Sequence, residues 1–158
     1  MKKILLLLFV TLNFSLFSKA QTEEPVAESS SPYKNAVGIR LSSNVPNIKN
    51  GISFKHFLGK NAIEGILSFG DGVGFCGLYE IHKPIASVEN LQWFVGFGGY
   101  VAHNSNTTNI GAAGIVGLDY KFAQIPLNLS VDWKPELNIV PAIGFEGSGV
   151  GLSARFTF

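Results

Sequence analysis

The chain has 158 residues, 46% of them hydrophobic and 12% aromatic, with 18 glycines, one cysteine, 15% charged residues and a formal net charge of +1. That is the length of one domain, and it is too apolar for a disordered chain. One cysteine excludes an intrachain disulfide scaffold or a four-thiolate zinc site, and the near-zero charge leaves no electrostatic footprint for nucleic acid.

The N-terminus divides into a charged start, Met1-Lys2-Lys3, an apolar run from Ile4 to Phe17, and Ser18-Lys19-Ala20 with small residues before a cut. This predicts a secretory signal peptide over residues 1–20, because the run carries Thr11, Asn13 and Ser15 and is too short for a spanning helix. Removing Lys2, Lys3 and Lys19 takes the formal charge from +1 to −2. Residues 21–33 begin QTEEPVAESSSP, rich in Pro, Ser and Glu and without periodicity, and are expected to be a disordered periplasmic tether.

From residue 34 to 158 glycines break every helical period, while strict two-residue alternation recurs between turn clusters. The expected fold is all-β, with strands near 35–43, 50–58, 62–70, 73–83, 91–101, 109–122, 126–135 and 148–158. The connections SNVPNIKN, LGKN, GDG, PIASVEN, HNSNTTN, AQIP and ELNIVPAIGFEG have the Gly, Pro, Asn and Ser that turns require.

Parity separates two chemistries. One lane, with Val37, Ile39, Phe54, Leu67, Phe75, Val95, Phe97, Leu129 and Leu152 among its members, has no Lys, Arg, Asp or Glu. The other holds Arg40, Lys55, Glu64, Glu80, His82, Asp119, Lys121, Asp132, Lys134 and Arg155, interspersed with small residues such as Gly38, Ser53, Ala62, Gly98 and Ser130. Small side chains suit the inside of an eight-stranded barrel, whereas a soluble apolar-ligand carrier has large aliphatic groups inside and charges outside. The expectation is therefore an eight-stranded antiparallel up-and-down transmembrane β-barrel with its apolar lane toward lipid, closed because lipid offers the backbone no hydrogen bonds. With both termini on the periplasmic side, Trp93, Tyr120, Phe122, Phe156 and Phe158 form a periplasmic aromatic girdle, and Trp133 joins Phe69 and Phe75 at the outer interface. SNVPNIKN, HNSNTTN and ELNIVPAIGFEG are then outer loops. PIASVEN is long for a periplasmic turn, and GDG is short for an outer loop.

The lumen charges Arg40, Lys55, Glu64, Glu80, Asp119, Asp132, Lys134 and Arg155 are near balance. They are expected to form a salt-bridge network that plugs the barrel, with a narrow ion pore as the alternative. No catalytic, cofactor-binding or metal site is expected. Gly72-Val73-Gly74-Phe75-Cys76-Gly77 fits a dinucleotide spacing, but no helix follows it to hold a pyrophosphate. His56, His82 and His103 fall on different faces and ends, and Cys76 points inward as a small filler. Asn106-Thr107-Thr108 has the form of a glycosylation acceptor, which carries little weight in a bacterial chain.

Two runs, GVGLSARFTF at the C-terminus and GIVGLDYKFAQIPLNLSVDWKPELNI before it, resemble the small OmpA/OmpX-like outer-membrane β-barrel proteins of Gram-negative bacteria, over about Lys34 to Phe158. The resemblance implies a non-enzymatic, porin-like envelope protein in the outer membrane. It implies Phe158 as the terminal aromatic read by the barrel-assembly machinery, outer-membrane lipid as solvent, a monomer, and a structural or surface-interaction role for the outer loops. A secreted soluble barrel binding an apolar ligand is the rival.

Overall fold

The computed structural model describes residues 32–43 and 45–158; the expected signal peptide and tether residues 21–31 lie outside the described residues. Ten strands follow in order: β1 Asn35–Ser43, β2 Gly51–Leu58, β3 Asn61–Phe69, β4 Gly72–Pro84, β5 Leu91–Asn104, β6 Thr107–Lys121, β7 Leu127–Trp133, β8 Glu136–Val140, β9 Gly144–Glu146 and β10 Val150–Thr157. β7 and β8 both pair with β6, and between them Gly114 N donates to the Pro135 carbonyl at 3.0 Å, so they form one barrel strand interrupted at Lys134-Pro135. β9 and β10 are likewise the two parts of the last strand. The result is a closed, all-antiparallel barrel of eight strands in sequential order, with no helix among the described residues.

Closure is made by the chain ends. Asn35 N donates to the Phe158 carbonyl at 2.8 Å and Phe158 N donates back to Asn35 at 2.9 Å, continuing the β1–β10 register. Hydrogen-bonded partners traced around the wall run from Ser43 through Val150, Trp133, Val116, Val95, Ile81, Asn61 and Leu58. The β1–β2 register then returns the path to Tyr33, ten positions before its start. A stagger of that size on eight strands tilts them by roughly 40° and leaves an interior wide enough for side chains alone.

Alternation sorts the two lanes as the parity predicts. Ile39, Phe54, Val95, Phe97 and Leu152 lie on the exterior, with Phe97 68% exposed, while Arg40, Lys55, Glu64, Glu80 and Arg155 are buried inside. At the base, the end that holds both ends of the barrel wall, Tyr33, Ala36, Phe57 and Ala62 cluster beneath the polar residues. Toward the top, Ile48, Ile66, Cys76, Leu78, Tyr100, Ala102, Ala113 and Ile115 form an apolar cluster with Phe94. The interior is therefore not uniformly polar.

Three expected loops are corrected. ELNIVPAIGFEG is largely strand: β8 continues the ladder on β6, and β9 folds back on β8. HNSNTTN shrinks to a two-residue turn at Ser105-Asn106, with Ser105 at φ 52°, because β5 and β6 pair out to Asn104 and Thr107. SNVPNIKN does not stand clear of the barrel; Val45 and Asn47 are buried and Ile48 is fully so, in the upper apolar cluster. An apolar residue in a turn-rich segment gains more by filling the barrel mouth than by facing water.

Where neighbouring strands crowd the interior, glycine is required by space. A Cβ on inward-facing Gly98 falls 1.8 Å from the Gly77 carbonyl oxygen, whereas one on outward-facing Gly77 meets only the Phe75 ring, at 3.8 Å. Gly98→Ala is expected to cut the yield of folded barrel severely and Gly77→Ala to leave it near wild type, scored by the heat-dependent gel mobility of refolded protein. Equal yields for the two variants contradict this packing.

Candidate functional site

The inward lane brings charged side chains from seven barrel strands to one place. Arg155 on β10 has its Nη2 2.5 Å from Glu64 Oε1 on β3, donates from Nε to Ser53 Oγ at 2.6 Å, and donates from Nη1 to Ser130 Oγ and Asn128 Oδ1 at 2.8 and 3.2 Å. Ser53 in turn donates to Glu64 at 2.6 Å. Lys55 on β2 lies 2.8 Å from Glu80, 3.3 Å from Asp119 and 3.5 Å from Glu64, with Nζ 4.5 Å above the Phe94 ring. Arg40 on β1 grips Asp132 on β7 with both guanidinium arms, at 2.6 and 2.7 Å. Arg155–Glu64, Lys55–Glu80, Lys55–Asp119 and Arg40–Asp132 reach across the barrel between strands that share no ladder, whereas Lys55–Glu64 links neighbours in the β2–β3 register.

A second, upper cluster was not legible from the charged lane alone. Lys134 pairs with Glu136 on β8, which also accepts from Asn47 Nδ2 at 3.2 Å and from the Ile48 amide at 3.3 Å. Asn47 donates to the Tyr100 hydroxyl at 3.1 Å, which donates to Asn138 at 3.2 Å. Glu136, expected in the outer loop ELNIVPAIGFEG, lies on β8 and is buried, on the same parity as Asp132 and Lys134. The available signal was its charge beside Lys134.

Every lumen residue expected from the sequence is buried and paired: Arg40, Lys55, Glu64, Glu80, Asp119, Asp132, Lys134 and Arg155. Lys121 is not among them. It sits at the base rim, where its ammonium donates to the carbonyls of Phe122 and Ile125, because the strand leaves the barrel there. Tyr33 is an addition, its hydroxyl 3.3 Å from Asp119. Below Lys55, His82 contacts Glu80 at 2.9 Å and stacks on Phe94 with ring centroids 5.0 Å apart.

Of the aromatic residues, Trp93, Tyr120, Phe122 and Phe156 lie on the exterior wall toward the base, and Phe158 projects there with 61% exposure. Trp133 lies outside near the top, its indole donating to the Gly147 carbonyl at 2.6 Å. The three histidines remain apart: His56 bonds Asn35, His82 lies within the barrel and His103 bonds Thr108 at the top. Cys76 is fully buried in the upper cluster. Among the described residues no group of three or more His, Cys, Asp or Glu is placed to hold a metal.

The chemistry available to this interior is cohesion. Each of its four cations, Arg40, Lys55, Lys134 and Arg155, is committed to a carboxylate, so none is left to attract an anion. At the mouth, outside the wall, Lys49 donates to Asp71 and holds its carboxyl below the ordinary value. That exposed contact acts above the unfolded carboxylate pKa and is lost as pH falls through the lowered one.

No family model matches the chain, and no curated protein matches it. Among solved structures it is similar to the crystal structure of the N-terminal β-barrel domain of Pseudomonas aeruginosa OprF, at 17% identity and a TM-score of 0.46, over 78% of this chain and 99% of that one.

Removing one member of a buried ion pair strands the other. Asp132→Asn, which leaves Arg40 facing a neutral amide, is expected to destabilise the folded barrel by about 3–5 kcal/mol. The double variant Arg40→Met with Asp132→Leu should recover most of that. Urea unfolding in detergent, followed by Trp fluorescence, reads both; a double variant no better than the single one contradicts the pairing.

Proposed function

We propose that the chain is an integral outer-membrane β-barrel protein, not an enzyme, with a structural or surface-interaction role and a lumen plugged by its own side chains. One observation carries the reading: large apolar side chains cover the exterior of the wall while charged ones fill the inside. A soluble barrel arranged this way exposes an apolar belt to water all around, far beyond the patch size that monomeric soluble proteins carry. In a bilayer the same belt is satisfied, and closure of the sheet leaves no lipid-facing backbone group unpaired.

In this reading residues 1–20 are the export signal and are removed, the residues from 21 up to Tyr33, which packs into the barrel base, tether it in the periplasm, and Phe158 is the residue read by the assembly machinery. The base is the periplasmic end and the β8–β9 hairpin points outward. Exposed positions such as Ile143, 84% exposed, and Phe145, 67% exposed, belong to the surface available for recognition. The lumen supports the plug in this reading: ion pairs, Phe94 and Tyr100 lie in the space that a pore needs.

Two measurements test the reading. Val95→Arg and Leu152→Arg, each placing a charge on the exterior wall, are expected to cost about 2–4 kcal/mol of folding stability in lipid vesicles; neutrality of both overturns the membrane assignment. Planar-bilayer recordings of purified protein should show no stable large conductance, and a reproducible one replaces the plug with a pore.

A further inference from the structure

The exterior wall is not evenly studded. Over β2 and β3 it carries a groove of about 520 Å³ whose lining comes in cross-strand pairs: His56 with Ile63 toward the base, Phe54 with Gly65 in the middle, and Ile52 with Leu67 above. Gly65 is the floor. Its missing side chain leaves a notch beside Phe54, and the Phe75 ring on β4 forms the far wall, 3.6 Å from where a Gly65 Cβ stands. Phe54 and Phe75 are 45% and 53% exposed, so the walls are apolar and face outward.

At the base end the chemistry of the groove changes. His56 interrupts the otherwise apolar lane, with Nδ1 2.7 Å from Asn35 Oδ1. Directly below, the two-residue turn Gly59-Lys60 joins β2 to β3, with Gly59 at φ 68° and Lys60 exposed. Asn61 donates to the Tyr79 hydroxyl at 2.7 Å, adding a polar step on the other side. An apolar slot along the strands thus ends at a histidine, with the exposed Lys60 in the turn below it.

From this juxtaposition, and resting on the membrane reading above, we infer that the β2–β3 groove is a binding site for one anionic glycerophospholipid of the periplasmic leaflet. An acyl chain lies in the notch over Gly65, and the phosphate meets Lys60 and His56. The apolar pairs exclude water from the chain. The Lys60 ammonium supplies the charge complementarity that a merely annular lipid lacks, and Lys/Arg groups near an anionic lipid surface are a general source of such affinity.

The test is native mass spectrometry of the full mature protein released from mild detergent with added phosphatidylglycerol or phosphatidylethanolamine. A single retained phosphatidylglycerol adduct is expected, several-fold more abundant than the phosphatidylethanolamine adduct. Gly65→Leu fills the floor where only Phe75 is near, and Lys60→Glu reverses the headgroup charge. Each is expected to lower the phosphatidylglycerol adduct at least fivefold while heat-dependent mobility shows that the barrel still folds. Gly114→Leu, at an outward glycine away from the groove whose Cβ position is 3.5 Å from Pro135 Cγ, should leave the adduct unchanged. Equal adducts from both lipids, or equal loss in the Gly114 and Gly65 variants, overturn the site. A protein that dissolves without detergent overturns the membrane reading itself, a different outcome from a folded barrel that retains no lipid.

Discussion

Everything in this fold depends on closure of the backbone ladder between Asn35 and Phe158. Once the last strand pairs with the first, no strand edge remains in the wall, and each residue has only two places to put its side chain, inside or outside. A ten-residue stagger on eight strands sets the diameter, and the diameter sets what the inside can hold. Glycines such as Gly98 are the local response, since the adjacent carbonyl leaves no room for a Cβ. The charged residues are forced into contact by the same confinement.

That confinement explains why a charged interior is tolerated. An ion stripped of water is costly unless a partner stands at hydrogen-bond distance, and each buried cation here has one. Arg155 illustrates the density of the solution: its three guanidinium nitrogens reach Glu64, Ser53, Asn128 and Ser130, residues of three other strands. Around this polar middle, apolar groups close both ends, with Tyr33 and Phe57 at the base and Ile48, Leu78 and Ile115 toward the top. An interior filled this way needs no inserted domain. It also distributes its cohesion over many strands, so a single substitution is felt across the barrel.

The exterior follows a simpler rule with local exceptions. Most of the outward lane is large and apolar, but Gly65 and His56 break the pattern within one pair of strands and turn a smooth wall into a groove with a polar foot. The β8–β9 hairpin is another departure, carrying the ladder beyond the mouth and presenting Ile143 and Phe145. Both features arise where the two-residue period persists but the side-chain size or the strand length changes.

How much of this could be read beforehand differs by element. Strand existence, the exclusion of formal charge from the outer lane and the inward position of eight charged residues, Arg40 to Arg155, are local properties, because alternation at period two and the energetic cost of a charge act residue by residue. The sequence by itself therefore determined which side chains face in and which face out. Partners were another matter. That Arg40 meets Asp132, that Ile48 folds into the mouth beside Tyr100, that Glu136 is an interior residue and Lys121 a rim residue, depends on ladder register and on where each strand leaves the wall. Those quantities couple residues far apart in sequence, 92 positions for Arg40 and Asp132. No local pattern encodes them, because the stagger is settled only when the sheet closes and all strands share one circumference.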